Sequence, residues 1–275
     1  MKNINTTEVA SGQYNTDGNL HSRIRVKQLF STGKQSWADF LIENFHLKPN
    51  HRILELGCGN GIFWRARANK IPEGIKLTLS DLSSGMLDAA KSNTMELDFI
   101  ENYAVIDVQS LPYEADTFDI VIANYMLYHV PDIQTAINEI SRVLKRSGSF
   151  FAATFGKDNL KEVYDIFSGF DKRIDAVPDA LTKVFGLENG GFLLGNSFGS
   201  VELRKFKNNL HITELEPLVE YFLSYRGLGN VGEIILDDKV EQFSDYLSGV
   251  FLKKGYVDIM QDEGLFVSSI PTQTA

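Results

Sequence analysis

The sequence predicts an α/β fold: a doubly wound sheet of seven strands, mostly parallel with an antiparallel last strand, plus helical additions at the N-terminus and in an insertion. Three observations carry that expectation. An apolar strand, Ile53-Leu54-Glu55-Leu56, runs directly into the glycine-rich turn Gly57-Cys58-Gly59-Asn60-Gly61. Strand-like and helix-like segments then alternate from residue 52 to 155, the pattern that builds a parallel sheet. The second and third strands each end on an acid, Asp81 and Asp107, so three strand ends form one polar rim. In a doubly wound sheet that rim is where ligands bind.

Residues 1–18 are rich in Asn, Thr, Ser and Gly, which reads as an arm that is flexible or ordered by a ligand. Trp37, Phe40, Leu41 and Phe45 recur at helical spacing and lead to the break at Pro49-Asn50. Strands are expected at 52–56, 75–80, 102–106, 118–123 and 148–155, with helices near 61–70, 84–92 and 133–145 between them. Ala136, Ile137, Ile140, Val143 and Leu144 give the last of these helices one apolar face, and Lys145-Arg146-Ser147-Gly148 reads as its basic, glycine-closed end. From 157 to 197 the pattern breaks into short helical pieces joined by glycines. A strand at 200–212, helices marked by Leu215 to Leu223 and Val240 to Phe251, and a final strand at 264–270 follow. The expected organisation is an N-terminal arm and helical lid (1–48), a core (49–156), a helical insertion or lid (157–199) and a C-terminal part of the sheet with a helical insert (200–275).

At 275 residues, 43% hydrophobic and 23% charged, the chain has the make-up of a soluble globular protein with a substantial core. No apolar run approaches the ~20 residues of a membrane span, and the first twenty residues lack an apolar signal core. The expected location is therefore cytoplasmic, with no membrane partner. The net charge of −9 opposes broad binding to nucleic acid, whose affinity comes largely from cations on phosphates. One cysteine, Cys58, excludes an intrachain disulfide, and the five histidines show no metal-ligand spacing, so no metal is expected.

Glycine at 57, 59 and 61 lets the backbone take positive φ and lets a ligand approach main-chain atoms. A dinucleotide-binding turn would need glycine at 62, where Ile62 stands. Glu55, two residues before the turn, suits a cofactor carrying positive charge. Asp81, twenty residues after Gly61, can accept hydrogen bonds from both hydroxyls of a ribose. Asp107 can accept from an exocyclic adenine amine, with the Val108 main chain as a donor. Each position also has a plainer use. Asp81 fits a helix N-cap before Ser83-Ser84, Asp107 a turn, Phe63 and Trp64 packing, and Cys58 a small buried residue.

Together, Glu55-Leu56-Gly57-Cys58-Gly59-Asn60-Gly61, Asp81, Asp107-Val108 with Leu111-Pro112, and Asn124 through His129 resemble a class I S-adenosylmethionine-dependent methyltransferase of the small-molecule kind, similar to methyltransferase domains 11 and 25. The resemblance covers roughly residues 50–155. It implies a Rossmann-like core binding S-adenosylmethionine and releasing S-adenosylhomocysteine. By that resemblance Gly57, Cys58 and Gly59 pass beneath the methionine part, with Glu55 near its ammonium. Asp81 holds the ribose, Leu82 and Met86 pack near the adenine, and Asp107 and Val108 read its amine and ring nitrogen. Asn124 lies beside the ammonium or sulfonium, and Tyr14 closes over the cofactor unless it is merely part of a loop.

Methyl transfer from a sulfonium needs alignment and exclusion of water more than acid catalysis. His129 is the candidate base for a hydroxyl or ammonium acceptor; its plainer use is to cap the turn before Pro131. Asn124-Tyr125-Met126-Leu127 is not the Asn/Asp-Pro-Pro-Tyr sequence of amino-group methylases of DNA and some proteins, which with the acidic charge favours O, N or C of a small molecule. Trp37, Tyr125, Tyr128, Phe192, Phe198, Tyr221 and Tyr225 serve either an aromatic pocket for that acceptor or ordinary core. The alternatives are a protein of this fold that binds S-adenosylmethionine for other chemistry, a catalytically silent partner subunit, and, disfavoured by Ile62, a nicotinamide-dependent oxidoreductase. Both monomer and homodimer remain open.

Overall fold

In the computed structural model, residues 17–174 and 179–270 are described. The apolar runs become β1 (Arg52–Leu56), β2 (Lys76–Asp81), β3 (Ile100–Val105), β4 (Phe118–Asn124), β5 (Leu144–Phe155), β6 (Ser200–Ile212) and β7 (Val257–Ser269), one sheet of order β3-β2-β1-β4-β5-β7-β6. β1 pairs in parallel with both β2 and β4, and β2–β3 and β4–β5 are parallel too. β7 runs antiparallel to β5, so the expected antiparallel insertion of the last strand is present. The strand order reverses between β1 and β4, and that switch opens a crevice at their carboxyl ends.

Strand side chains alternate between two faces, and here both faces are covered. Leu54, Val121, Ala123, Phe150 and Ala152 enter one apolar cluster. Their neighbours Ile53, Ile120, Ile122, Phe151 and Ala153 enter another. A strand buried on both sides reads as a continuous apolar run, which is why Ile120-Val121-Ile122-Ala123 was legible as a strand.

The helices are α1 (Asp17–Phe30), α2 (Trp37–Asn44), α3 (Ile62–Arg65), α4 (Ser84–Thr94), α5 (Ile133–Val143), α6 (Lys161–Phe170), α7 (Asp179–Phe185), α8 (Gly190–Gly195), α9 (Leu215–Leu223), α10 (Val231–Ile234) and α11 (Val240–Leu252). Ser36, Ser83 and Asp132 start α2, α4 and α5 by accepting from the backbone N–H three residues on. The buried face of α5 is Ala136, Ile137, Ile140 and Val143.

Three boundaries differ most from the sequence reading. The helix expected near 61–70 ends at Arg65, with a separate 3-10 turn at Ala68–Lys70. The helix expected to 145 stops at Val143, and Lys145 to Gly148 belong to β5. The cause is a bulge: Phe118 pairs with Leu144 but Ile120 already pairs with Ser149. Asp119 fills that irregularity, accepting from Lys145 Nζ and the Arg52 N–H at 2.9 Å each. A Cβ on Gly148 would lie 2.9 Å from the Asp119 carbonyl, so glycine serves close approach there and not a helix end. β7 begins at Val257, seven residues before the expected 264. Gln261 and Glu263 occupy its inward positions at 5% and 6% exposure, and polar residues there hide the apolar alternation.

The chain divides into two compact units. One takes the described residues of 35–156, 181–206 and 263–275 and contains the glycine turn. The other takes those of 1–34, 157–180 and 207–262. Its core is aromatic: Phe167 lies 5.2 Å from Phe222 and 5.5 Å from Phe243, ring centre to ring centre. No helix among the described residues is long and apolar enough to cross a membrane.

Candidate functional site

The turn after β1 has the backbone its glycines allow. Gly57, Gly59 and Gly61 stand at φ +67°, +55° and +71°. Their surroundings differ. A Cβ on Gly57 would meet Met126 Cβ at 2.7 Å, and one on Gly61 would press on Thr94 and Ala90 of α4 at 3.1 and 3.2 Å. A Cβ on Gly59 would meet nothing within 4 Å among the described residues. Gly57 and Gly61 are thus glycines for packing, whereas Gly59 presents bare backbone to open space.

Asp81 fastens this turn to the end of β2. One carboxylate oxygen accepts from the Gly59 N–H at 3.0 Å and the other from the Ser83 N–H at 2.9 Å. The helix cap itself is Ser83, whose Oγ accepts from the Met86 N–H. Asp81 is therefore not the helix N-cap: it braces the helix entry through the Ser83 N–H and holds a fixed orientation, with lone pairs left over. The Cys58 N–H donates to the Ser80 carbonyl at 2.8 Å, and Ser80 Oγ donates to the Glu55 carbonyl at 2.7 Å. Burial pushes the Cys58 thiol up, which suits an inert residue and not a nucleophile.

Glu55 is buried, 3% exposed, and its two oxygens have separate neutral donors. Trp64 Nε1 donates to one at 2.5 Å and Asn124 Nδ2 to the other at 3.1 Å. Burial raises its pKa to about 7, against the pull of those two hydrogen bonds and with a further push from Asp81. With its amide nitrogen so engaged, Asn124 keeps its Oδ1 buried and without a partner among the described residues. A buried acceptor of this kind can take a hydrogen bond from a donor that is not part of the described residues.

Asp107 is exposed beyond β3 and accepts from the Gln109 N–H at 2.9 Å, while Val108 is buried. The Ile106 N–H donates to the Asp81 carbonyl at 3.1 Å, so the second and third strand ends are joined. Leu82 is 54% exposed, and Met86 sits in the first turn of α4. Tyr14 lies outside the described residues. His129 ends a 3-10 turn, Leu127–His129, with its N–H on the Met126 carbonyl at 3.0 Å and its ring 4.6 Å from that of Tyr128. Burial lowers its pKa, so it is neutral at pH 7 and able to accept a proton.

The aromatic set divides. Trp37 and Tyr125 meet at 5.6 Å, and Tyr128 lies 5.1 Å from Phe155. Phe198 is stacked on Phe150 in the core, Phe192 is 77% exposed, and Tyr221 and Tyr225 belong to the core of the other unit. Three features of the site were not read from the sequence: the Trp64–Glu55 bond, Met126 against Gly57, and Tyr125 at φ +53°. Trp64 carried a signal in being a large residue one helical turn past the glycines, but nothing in the sequence says where its N–H points.

Comparison with known proteins agrees with this geometry. Residues 54–152 match the methyltransferase domain family. Over 152 residues the chain is 32% identical to the ubiquinone/menaquinone biosynthesis C-methyltransferase UbiE of Rickettsia massiliae, covering 52% of this chain and 61% of that protein. The chain thus spans about three fifths of that curated relative. Among solved structures, the phosphoethanolamine N-methyltransferase 2 of Haemonchus contortus in complex with S-adenosyl-L-methionine matches with TM-score 0.57 and 18% identity, covering 98% of this chain and 59% of that one. The 4+2 cyclase SpnF matches with TM-score 0.56 and 18% identity over 97% of both chains. Residues 54–152 thus resemble a methyltransferase domain, and the chain shares its fold with an N-methyltransferase solved with S-adenosyl-L-methionine.

Proposed function

We propose that this chain transfers the methyl group of S-adenosylmethionine to O, N or C of a small-molecule acceptor, leaving S-adenosylhomocysteine. The observation that carries the reading is Gly59: left-handed backbone, open to a ligand, tied by its N–H to the Asp81 carboxylate. The cofactor supplies an electrophilic methyl on a sulfonium that departs as a neutral thioether. The protein's own work is then to seat, orient and exclude water. In this reading Gly57, Cys58 and Gly59 run beneath the methionine end, and Glu55 and Asn124 receive its ammonium. Asp81 accepts from the ribose, Leu82 and Met86 flank the adenine, Asp107 and Val108 read its edge, and Tyr14 closes over it. His129, neutral at pH 7, accepts the proton when the acceptor is a hydroxyl or ammonium.

The fold alone does not choose the chemistry, since one structural neighbour is described as a cyclase. The choice of methyl transfer leans on the match to the methyltransferase family and to a relative named as a C-methyltransferase, which also puts carbon acceptors first in a screen. The net charge of −9 supports a small molecule over nucleic acid. A cytoplasmic location, a monomeric or homodimeric state, and acceptor specificity supplied by the chain outside 49–156 belong to the same proposal.

Calorimetric titration with S-adenosylmethionine and S-adenosylhomocysteine is the test, with micromolar binding of both expected and NAD inert. Asp81→Ala should weaken binding tenfold or more, about 1.4 kcal/mol. Unchanged affinity in that variant would remove the ribose assignment, and no binding by folded wild-type protein would remove the reading as a whole.

A further inference from the structure

Glu55 is a carboxylate closed off from water whose hydrogen-bond donors, the Trp64 indole of α3 and the Asn124 amide of β4, are both neutral. The titratable groups facing it are the Asp81 carboxylate at the end of β2, of like sign, and the Cys58 thiol in the turn, which burial keeps protonated. Among the described residues no cation offsets a negative charge at this point, and an uncompensated buried carboxylate takes up a proton. On the far side of the same Asn124 amide stands the buried Oδ1, without a partner among those residues. One amide therefore separates a proton-holding acid from an acceptor that waits for a donor.

We propose that binding of the cationic amino-acid end of the cofactor at Asn124 drives the proton off Glu55 to solvent, so that this acid senses the ligand's ammonium rather than its nucleoside. The inference rests on the cofactor reading above. The step balances simply: the ligand brings one positive charge, the Glu55 carboxyl O–H bond breaks, the proton goes to buffer, and the carboxylate left behind keeps the Trp64 and Asn124 donors it already has. The ligand's charge and the new carboxylate then stabilise each other across the amide, where low local dielectric strengthens the attraction. A nucleoside lacking the amino-acid end brings no charge and leaves the proton in place. The acid thus favours ligands that carry the ammonium.

Calorimetry of the full-length protein at pH 7, repeated in buffers of different ionisation enthalpy, counts the protons. With Glu55 half protonated near pH 7, S-adenosylhomocysteine should release about half a proton per ligand. 5′-Methylthioadenosine, which has the nucleoside and thioether but no amino-acid end, should release none. The Glu55 share of the affinity for S-adenosylhomocysteine should rise roughly eightfold from pH 6 to 7.5. In Glu55→Gln the release should disappear. The ligand's own ammonium titrates near ~8, and because its share is common to both proteins, their difference isolates Glu55. Binding of S-adenosylhomocysteine with no proton released by wild type, or with the same release in Glu55→Gln, overturns the linkage and leaves the cofactor reading standing. No heat with either nucleoside overturns the cofactor reading itself. Should Glu55→Gln fail to fold, the wild-type proton count still decides.

Discussion

The two compact units use their interiors differently. In the unit built on residues 35–156, polar groups around the glycine turn are bonded to one another: Trp64 to Glu55, Glu55 to Asn124, Ser80 to the Glu55 backbone, Asp81 to Gly59. In the unit built on 207–262, the centre is a stack of rings, Phe167, Phe222, Tyr225 and Phe243, with the Tyr225 hydroxyl donating to that of Tyr221 at 2.8 Å. Apolar area is the main term holding a domain together, and it is indifferent to direction. A ligand rim depends on direction above all. The difference predicts that the aromatic unit governs how stable the chain is, while the polar chain governs what it binds.

The strongest way to break that division is to empty the ring stack. Phe167 is fully buried, so Phe167→Ala should cost roughly 3–5 kcal/mol in urea unfolding, while the affinity of the remaining folded protein for S-adenosylhomocysteine stays within a factor of two. A proportionate loss of affinity would mean that the division is false. The next effect lies in the polar chain and depends on pH. The folded-state pKa of Glu55, about 7, lies above the 4.5 of an ordinary glutamate. Between those values the folded protein holds a proton that the unfolded chain has lost, so the contribution is complete below pH 4.5 and is lost as pH rises through 7. Fully expressed it is about 3 kcal/mol. Urea unfolding at pH 5 and pH 8 should therefore differ by that order in wild type, and the difference should shrink in Glu55→Gln while persisting in Phe167→Ala.

How much was legible follows the same division. The seven strands, the glycine turn and the acids at the ends of β2 and β3 could be read because each leaves a periodic or conformational mark: apolar runs, positive φ, a charge after an apolar strand. The first half of β7 could not, because Gln261 and Glu263 face inward and erase the alternation. The start of β5 could not, because Lys145 and Arg146 resemble a helix end, and only the pairing of Lys145 with Asp119 shows them to be a bulge. Within the site, Glu55 was legible as a residue but not as a buried acid held by Trp64 and Asn124, since donor direction depends on rotamers and not on spacing. The aromatic residues were the least legible. Spacing along the chain does not separate Tyr125, beside Trp37, from Tyr225, in the core of the other unit.

The smallest predicted effect on stability is the sharpest on function, and it compares two glycines two residues apart. Both Gly57 and Gly59 have positive φ, so alanine at either costs roughly 1–2 kcal/mol in backbone strain. At Gly57 the new methyl would also lie 2.7 Å from Met126 Cβ, and the overpacking should bring the total to roughly 2–3 kcal/mol. At Gly59 no atom of the described residues stands within 4 Å of the new methyl, so Gly59→Ala should stop at that roughly 1–2 kcal/mol by urea unfolding. If that open space is where the cofactor lies, the methyl fills it, and calorimetry should find S-adenosylhomocysteine binding weakened tenfold or more in a protein that is less destabilised than Gly57→Ala. Gly57→Ala should lose stability and affinity together, because its methyl displaces the turn. Affinity retained in Gly59→Ala would mean that the open side of the turn faces only solvent, and Asp81 would then brace the turn for the fold alone.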